Sequence, residues 1–183
     1  MVDIKSKREI EIMKEACKIA GDTQKEVGKA IKPGISTWEL DQIAEKYILS
    51  KGGIPAQKGY PSGVKGVPDF PATLCVSVND EVIHGIPDKR CILKEGDLVS
   101  VDLVVYKNGF NGDCARTYVV GKTSKDNERL VDITKKAFFE GIKYAKVGNR
   151  LRRYFSCNRR ICRKKWIFSS QRIPRTWNRK TNA

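Results

Sequence analysis

Asn108 and Gly109 stand between two strand-like runs, Leu98 to Tyr106 and Phe110 to Val120. Asn-Gly suits a two-residue turn with positive φ at both positions, so the pair predicts a β-hairpin and sets its register. Lys107 then lies opposite Phe110, Val104 opposite Asp113 and Asp102 opposite Ala115. Side chains alternate along a strand, so Asp102 and Asp113 share one face as diagonal cross-strand neighbours, about 7 Å apart or somewhat less. Two carboxylates on one face of a mostly apolar hairpin repel, and burial sharpens the repulsion unless a cation sits between them. Two readings fit the spacing: a site for one or two hard divalent metals, or two solvated aspartates on the open face of a sheet.

The flanking sequence reads as helix, helix, strands, helix, an α+β unit. Lys7 to Ile31 is a helix with Ile10, Met13, Cys17, Ala20 and Val27 in one apolar stripe, stopped by Lys32-Pro33-Gly34. Ser36 and Glu39 form a capping box for a second helix that turns Leu40, Ile43, Tyr47 and Ile48 inward and ends at Gly52-Gly53. Ile54 to Phe70 is a loop rich in Gly and Pro, long enough to be functional. Thr73 to Val78 and Glu81 to Gly85 read as strands, and Glu128 to Lys146 as a third helix stopped at Gly148.

A chain of 183 residues suits one domain or one half of a larger one. Its hydrophobic content of 40% supports a core, which excludes wholesale disorder. No apolar run approaches the ~20 residues that span a bilayer. The stretch from Met1 to Glu15 is charged, without a secretory apolar segment, so the expected compartment is the cytoplasm and no membrane partner is expected. The cysteines, Cys17, Cys75, Cys91, Cys114, Cys157 and Cys162, include no CxxC pair, and His84 is the single histidine, so a zinc-finger site is not expected. Those before residue 150 read as small buried hydrophobes.

The net charge of +15 is concentrated at one end. After Arg150 the chain holds 11 Lys or Arg, no acid, and two of the three tryptophans, Trp166 and Trp177. Phosphate neutralisation with base stacking is one reading of such a tail. The abruptness of the change argues instead that the tail was not selected together with the body.

Three segments carry a family likeness: Asn79-Asp80-Glu81-Val82-Ile83-His84-Gly85-Ile86-Pro87, Gly96-Asp97-Leu98-Val99-Ser100-Val101-Asp102 and Gly112-Asp113-Cys114-Ala115-Arg116-Thr117. From about Lys5 to Leu151 the sequence closely resembles bacterial type I methionine aminopeptidases, including the Lys32-Pro33-Gly34-Ile35-Ser36-Thr37 turn. The resemblance implies the pita-bread (creatinase/aminopeptidase-like) fold, here its N-terminal half only. It also implies a monomeric metallopeptidase that removes the initiator Met from the N-termini of nascent polypeptides, near the ribosome. Two divalent ions (Co, Mn, Fe, Zn or Ni) would activate a bridging water. By the same resemblance Asp102 and Asp113 are metal ligands, with Asp113 bridging. His84 contacts the substrate near its scissile peptide, and Tyr60, Phe70 and Cys75 line the pocket for the Met side chain.

The resemblance also implies five metal ligands, and the remaining His and Glu residues belong to the family's second half. Residues 152–183 contain no His, Asp or Glu. The segment Arg175-Thr176-Trp177-Asn178-Arg179-Lys180 can be written AGG ACA TGG AAT AGG AAA. Shifted by one base it reads Gly-His-Gly-Ile-Gly-Lys, the family motif around its missing ligand histidine. On suitable AT-rich codons the stretch from Arg152 reads GDISAAIEGYVEKNGFSVVREFQGHGIGK, with balanced charge and an Asn-Gly turn. The expectation is therefore a domain over 1–151 followed by a basic tail over 152–183 that is out of frame and disordered, with any divalent metal held weakly or not at all. The chain as written is expected to be inactive or nearly so, and nucleic acid is not an expected partner. The alternative is a non-catalytic pita-bread binding module whose basic tail contacts RNA or the ribosome.

Overall fold

The computed structural model describes residues 4–165, which form two compact units, one up to Lys122 and one from Thr123. The first unit runs α1 (Lys7–Ala30), α2 (Thr37–Ser50), β1 (Ile54–Pro55), β2 (Leu74–Val78), β3 (Leu98–Lys107) and β4 (Phe110–Val119). The second holds α3 (Lys125–Ile142) and α4 (Leu151–Lys164). Among the described residues no helix is long and apolar enough to cross a membrane.

The hairpin has the predicted register. Leu98 faces Val119 at one end and Lys107 faces Phe110 at the other, with Val104 opposite Asp113 and Asp102 opposite Ala115. Asn108 and Gly109 take φ of 52° and 89°, the paired positive values that this turn needs. β3 is the centre of an antiparallel sheet. β4 runs along one side of it, and β2 and β1 pair with successive parts of the other.

Alternation divides the sheet into two faces. Val99, Val101, Leu103 and Val105 of β3, with Leu74 and Val76 of β2, are buried in a core with Val27 of α1 and Leu40 and Ile48 of α2. Each such side chain contributes about 1.5–3 kcal/mol by leaving water. Gln24 ties α1 to the sheet, its amide donating to the carbonyls of Val101 at 2.8 Å and Cys114 at 3.1 Å. Gly112 admits the helix backbone: a Cβ there would stand 2.4 Å from the carbonyl carbon of Ala16.

Several details depart from the sequence reading. The buried line of α1 is Ala16, Ala20, Thr23, Gln24 and Val27, while Ile10 and Cys17 are exposed. The sheet selects this face, where Gln24 and small residues let the helix approach closely. Glu81 to Gly85 is not a strand. Asn79 and His84 adopt φ of 56° and 59°, and the Glu81 carboxylate accepts the Val78 N–H at 2.9 Å, so the chain turns at the end of β2. Ile54–Pro55 forms a short strand because the edge of β3 beyond β2 is open to it.

In the second unit Ile133, Ala137 and Gly141 of α3 and Cys157 of α4 are buried. A Cβ on Gly141 would collide with the Asn158 amide, so the absence of a side chain lets the two helices meet. The first three helices begin alike. Ser6, Ser36 and Ser124 each accept the backbone N–H three residues on, and Glu9 and Glu39 complete capping boxes. α4 begins differently: Arg150 makes no side-chain cap, and Arg152 and Arg153 place positive charge on the positive end of the helix dipole. The sequence reading expects disorder over 152–183; residues 151–164 are helical, and 166–183 lie outside the described residues.

Candidate active-site face

The sheet face away from the core is polar and gathers most of the candidate residues. Asp102 lies beside Cys75 of β2 on one side and Ala115 of β4 on the other. Asp113 is two cross-strand pairs along and exposed, while Asp102 is partly buried. Farther along the same face the hydroxyls of Ser100 and Thr117 share a hydrogen bond of 2.9 Å.

Burial, and then the charge of Asp113, push the Asp102 carboxyl above its ordinary range. His84, in the turn after β2, acts in the opposite sense. His84 owes this position to backbone geometry. Its left-handed φ turns the chain, and the next residue folds back on β2: Gly85 N–H donates to Ser77 Oγ at 3.1 Å, and Gly85 O accepts from Val76 N–H at 2.8 Å. Only glycine fits there, since a Cβ on Gly85 would stand 2.1 Å from Val76 O.

Cys75 is buried, and its thiol is pushed up to about 12, first by burial and then by the charges of Asp102 and Asp41. A thiol held protonated at neutral pH is a poor nucleophile and serves as an apolar wall. Tyr60 and Phe70 close the neck of one loop: Gly59 N–H donates to Phe70 O at 2.8 Å, and Phe70 N–H to Tyr60 O at 3.0 Å. Phe70 is 3% exposed and Tyr60 64% exposed, so backbone bonds join them while their rings meet different surroundings.

Two residues that the sequence reading passed over hold the site. Asp41 of α2 is buried and accepts the Leu74 N–H at 2.8 Å, fixing the start of β2 and thus Cys75. Its neighbours Leu40 and Ala44 are core residues, so an acid beside the inward stripe was the available signal. The Gln57 amide donates to the carbonyls of Thr73 at 2.9 Å and Asp102 at 3.2 Å, and Ala56 N–H donates to Val104 O at 2.9 Å. These bonds anchor the base of the Tyr60 loop on β2 and β3. A polar residue in a Gly-rich and Pro-rich loop carries no sequence signal for that role.

Two hard carboxylates suit a hard divalent cation. Among the described residues no third His, Cys, Asp or Glu joins them in a metal-holding group.

The geometry has close counterparts. The methionine aminopeptidase of Clostridium acetobutylicum is 46% identical over 151 residues, which is 82% of this chain and 58% of that protein. Methionine aminopeptidase 1 of Bacillus subtilis is 47% identical over 151 residues, with the same coverage of 82% and 58%. The crystal structure of methionine aminopeptidase from Thermotoga maritima superposes with a TM-score of 0.84 at 36% identity, over 90% of this chain and 64% of that one. The chain thus spans 58% of the length of these curated relatives. Its architecture is that of the pita-bread metallopeptidases. The profile of metallopeptidase family M24 matches residues 11–174, and the chain belongs to that family.

Proposed function

We propose that this chain is the amino-terminal half of a methionine aminopeptidase, and that as written it is inactive. The observation that carries the reading is the diagonal pair Asp102 and Asp113 on the polar face of the hairpin, beside Cys75 of β2. In this reading His84 donates to the polypeptide backbone near the bond to be cut. Phe70, Cys75 and Tyr60 form the wall against the Met side chain, and Gln57 and Asp41 keep that wall in register. The substrate class is the N-terminus of a nascent polypeptide.

Family membership implies divalent metal ions. The donor set of this chain does not fit a two-metal centre. It offers two carboxylates, and residues 152–183 supply no His, Asp or Glu.

The same reading assigns residues 152–183 to a shifted reading frame. The missing cap of α4 and the arginines in its first turn support it, since α1, α2 and α3 all begin on a hydrogen-bonded serine. Purified chain loaded with Mn(II) or Co(II) and given a Met-initiated tripeptide tests the proposal. No release of Met above the metal-only control is expected, and turnover at ordinary enzyme rates overturns the inactive reading.

A further inference from the structure

We infer that Asn108 is a modification site, where the backbone nitrogen of Gly109 displaces ammonia from the side-chain amide and an aspartyl or isoaspartyl residue is left in the hairpin turn.

The chain carries two Asn-Gly pairs three residues apart, Asn108-Gly109 and Asn111-Gly112. With glycine in second place, no side chain shields the backbone nitrogen from the amide carbon, so the two pairs share one intrinsic chemistry. The fold separates them. Asn108 and Gly109 are both exposed, and among the described residues the Gly109 N–H has no hydrogen-bond acceptor. A Cβ on Gly109 would meet nothing within 4 Å, so the attacking nitrogen stands in open space. Asn111 is exposed too, but Gly112 is buried. Lys107 and Phe110 close the two-residue turn as a hydrogen-bonded pair. By alternation Val105 and Gly112 form the next such pair, so the ladder engages the Gly112 N–H. The backbone of α1 covers the same residue, within 2.4 Å of where its Cβ would be.

The Gly109 nitrogen gives its proton to solvent and bonds to Cγ of Asn108. The bond from Cγ to the amide nitrogen breaks, and that nitrogen leaves as ammonia with a proton from water. One water then opens the five-membered imide. Opening at Cγ gives aspartate, and opening at the main-chain carbonyl gives isoaspartate. The net change is one water taken up and one ammonia released, with nothing oxidised or reduced.

Either product weakens the turn. The Asn108 amide donates to Glu15 Oε2 at 3.0 Å. A carboxylate there has no proton to donate at neutral pH, and it repels Glu15. Isoaspartate also adds a carbon to the main chain, which a two-residue turn does not accommodate. The Lys107–Phe110 pair then loosens, and with it the register that places Asp102 and Asp113 on one face.

The test incubates the full chain at mildly alkaline pH, with and without denaturing urea. Trypsin cuts after Lys107 and Arg116, so one peptide, 108–116, contains both asparagines, and tandem mass spectrometry follows each. Without urea Asn108 should convert about tenfold faster than Asn111, and in urea the two rates should agree within about twofold. The converted fraction, separated by its added negative charge, should unfold at a lower urea concentration than the parent chain. Equal rates without urea, faster conversion at Asn111, or an Asn108 that converts only in urea overturns the site. An unchanged urea midpoint overturns its effect on the hairpin.

Discussion

Asp113 lies opposite Val104, two register positions from the pair Asp102 and Ala115, so the two carboxylates share a face as diagonal neighbours. Their separation is set by the Asn108-Gly109 turn, which begins six residues after Asp102, and not by any contact between the acids themselves. Such a pair attracts a hard cation but does not by itself enclose one. Calorimetric titration of this chain with Mn(II) should show binding no tighter than on the order of millimolar. Asp102→Asn should abolish it. A micromolar site in the chain as written would mean that the donor set is more complete than these two residues.

Asp41 governs a pH dependence. Burial raises its carboxyl above the ordinary range, against the opposing N–H bonds of Leu74 and Thr73. The folded chain therefore holds this proton more tightly than the unfolded chain. The stability contributed is complete below about pH 4 and is lost as the pH rises through the folded value. Asp41→Asn keeps an oxygen for Leu74 N–H and removes the buried charge. Its urea midpoint should fall less between pH 4 and pH 7 than that of the parent chain; equal falls would sink this assignment.

Gly85 is a steric requirement of the His84 turn. Gly85→Ala places a methyl group against Val76 O, and overpacking of this kind costs about 1–3 kcal/mol. Urea unfolding measures the loss, and a change below about 0.5 kcal/mol, the scale of ordinary surface substitutions, would show that the turn relaxes freely.

The missing cap of α4 is a correctable defect. Arg150→Asp supplies an acceptor for the first turn and a charge that complements the dipole, together worth about 1 kcal/mol. Amides of α4 should exchange several-fold more slowly in hydrogen–deuterium exchange, with those of α1 unchanged. Unaltered exchange in α4 would mean that its first turn does not limit its opening.

The parts of the structure that were legible in the sequence are those decided locally. The hairpin register follows from Asn108-Gly109 and strict alternation, and the start of α2 follows from Ser36 and Glu39. What failed depended on neighbours. The Glu81–Gly85 segment has strand-like residues, but the Glu81 carboxylate bonds back to Val78 and His84 turns left-handed without a glycine at its own position. On α1 the stripe holds at Ala20 and Val27, while Ile10 and Cys17 fit the helical spacing but lie outside the face that the sheet admits with Ala16 and Gln24. In the site, the acids were readable from spacing. The supports Gln57 and Asp41 act through single hydrogen bonds to distant strands, and periodicity does not record these.

We propose that residues 1–151 are one half of a methionine aminopeptidase and that a shifted frame has replaced the other half. The most direct measurement removes one base at the Arg152 codon of the coding DNA, extends the reading past the present stop, and assays both products with Mn(II) on a Met-initiated tripeptide. The frame-restored protein should release Met at ordinary enzyme rates and lose that activity with Asp102→Asn, while the chain as written releases none. Activity in the chain as written, or none in a folded frame-restored protein, would contradict the claim.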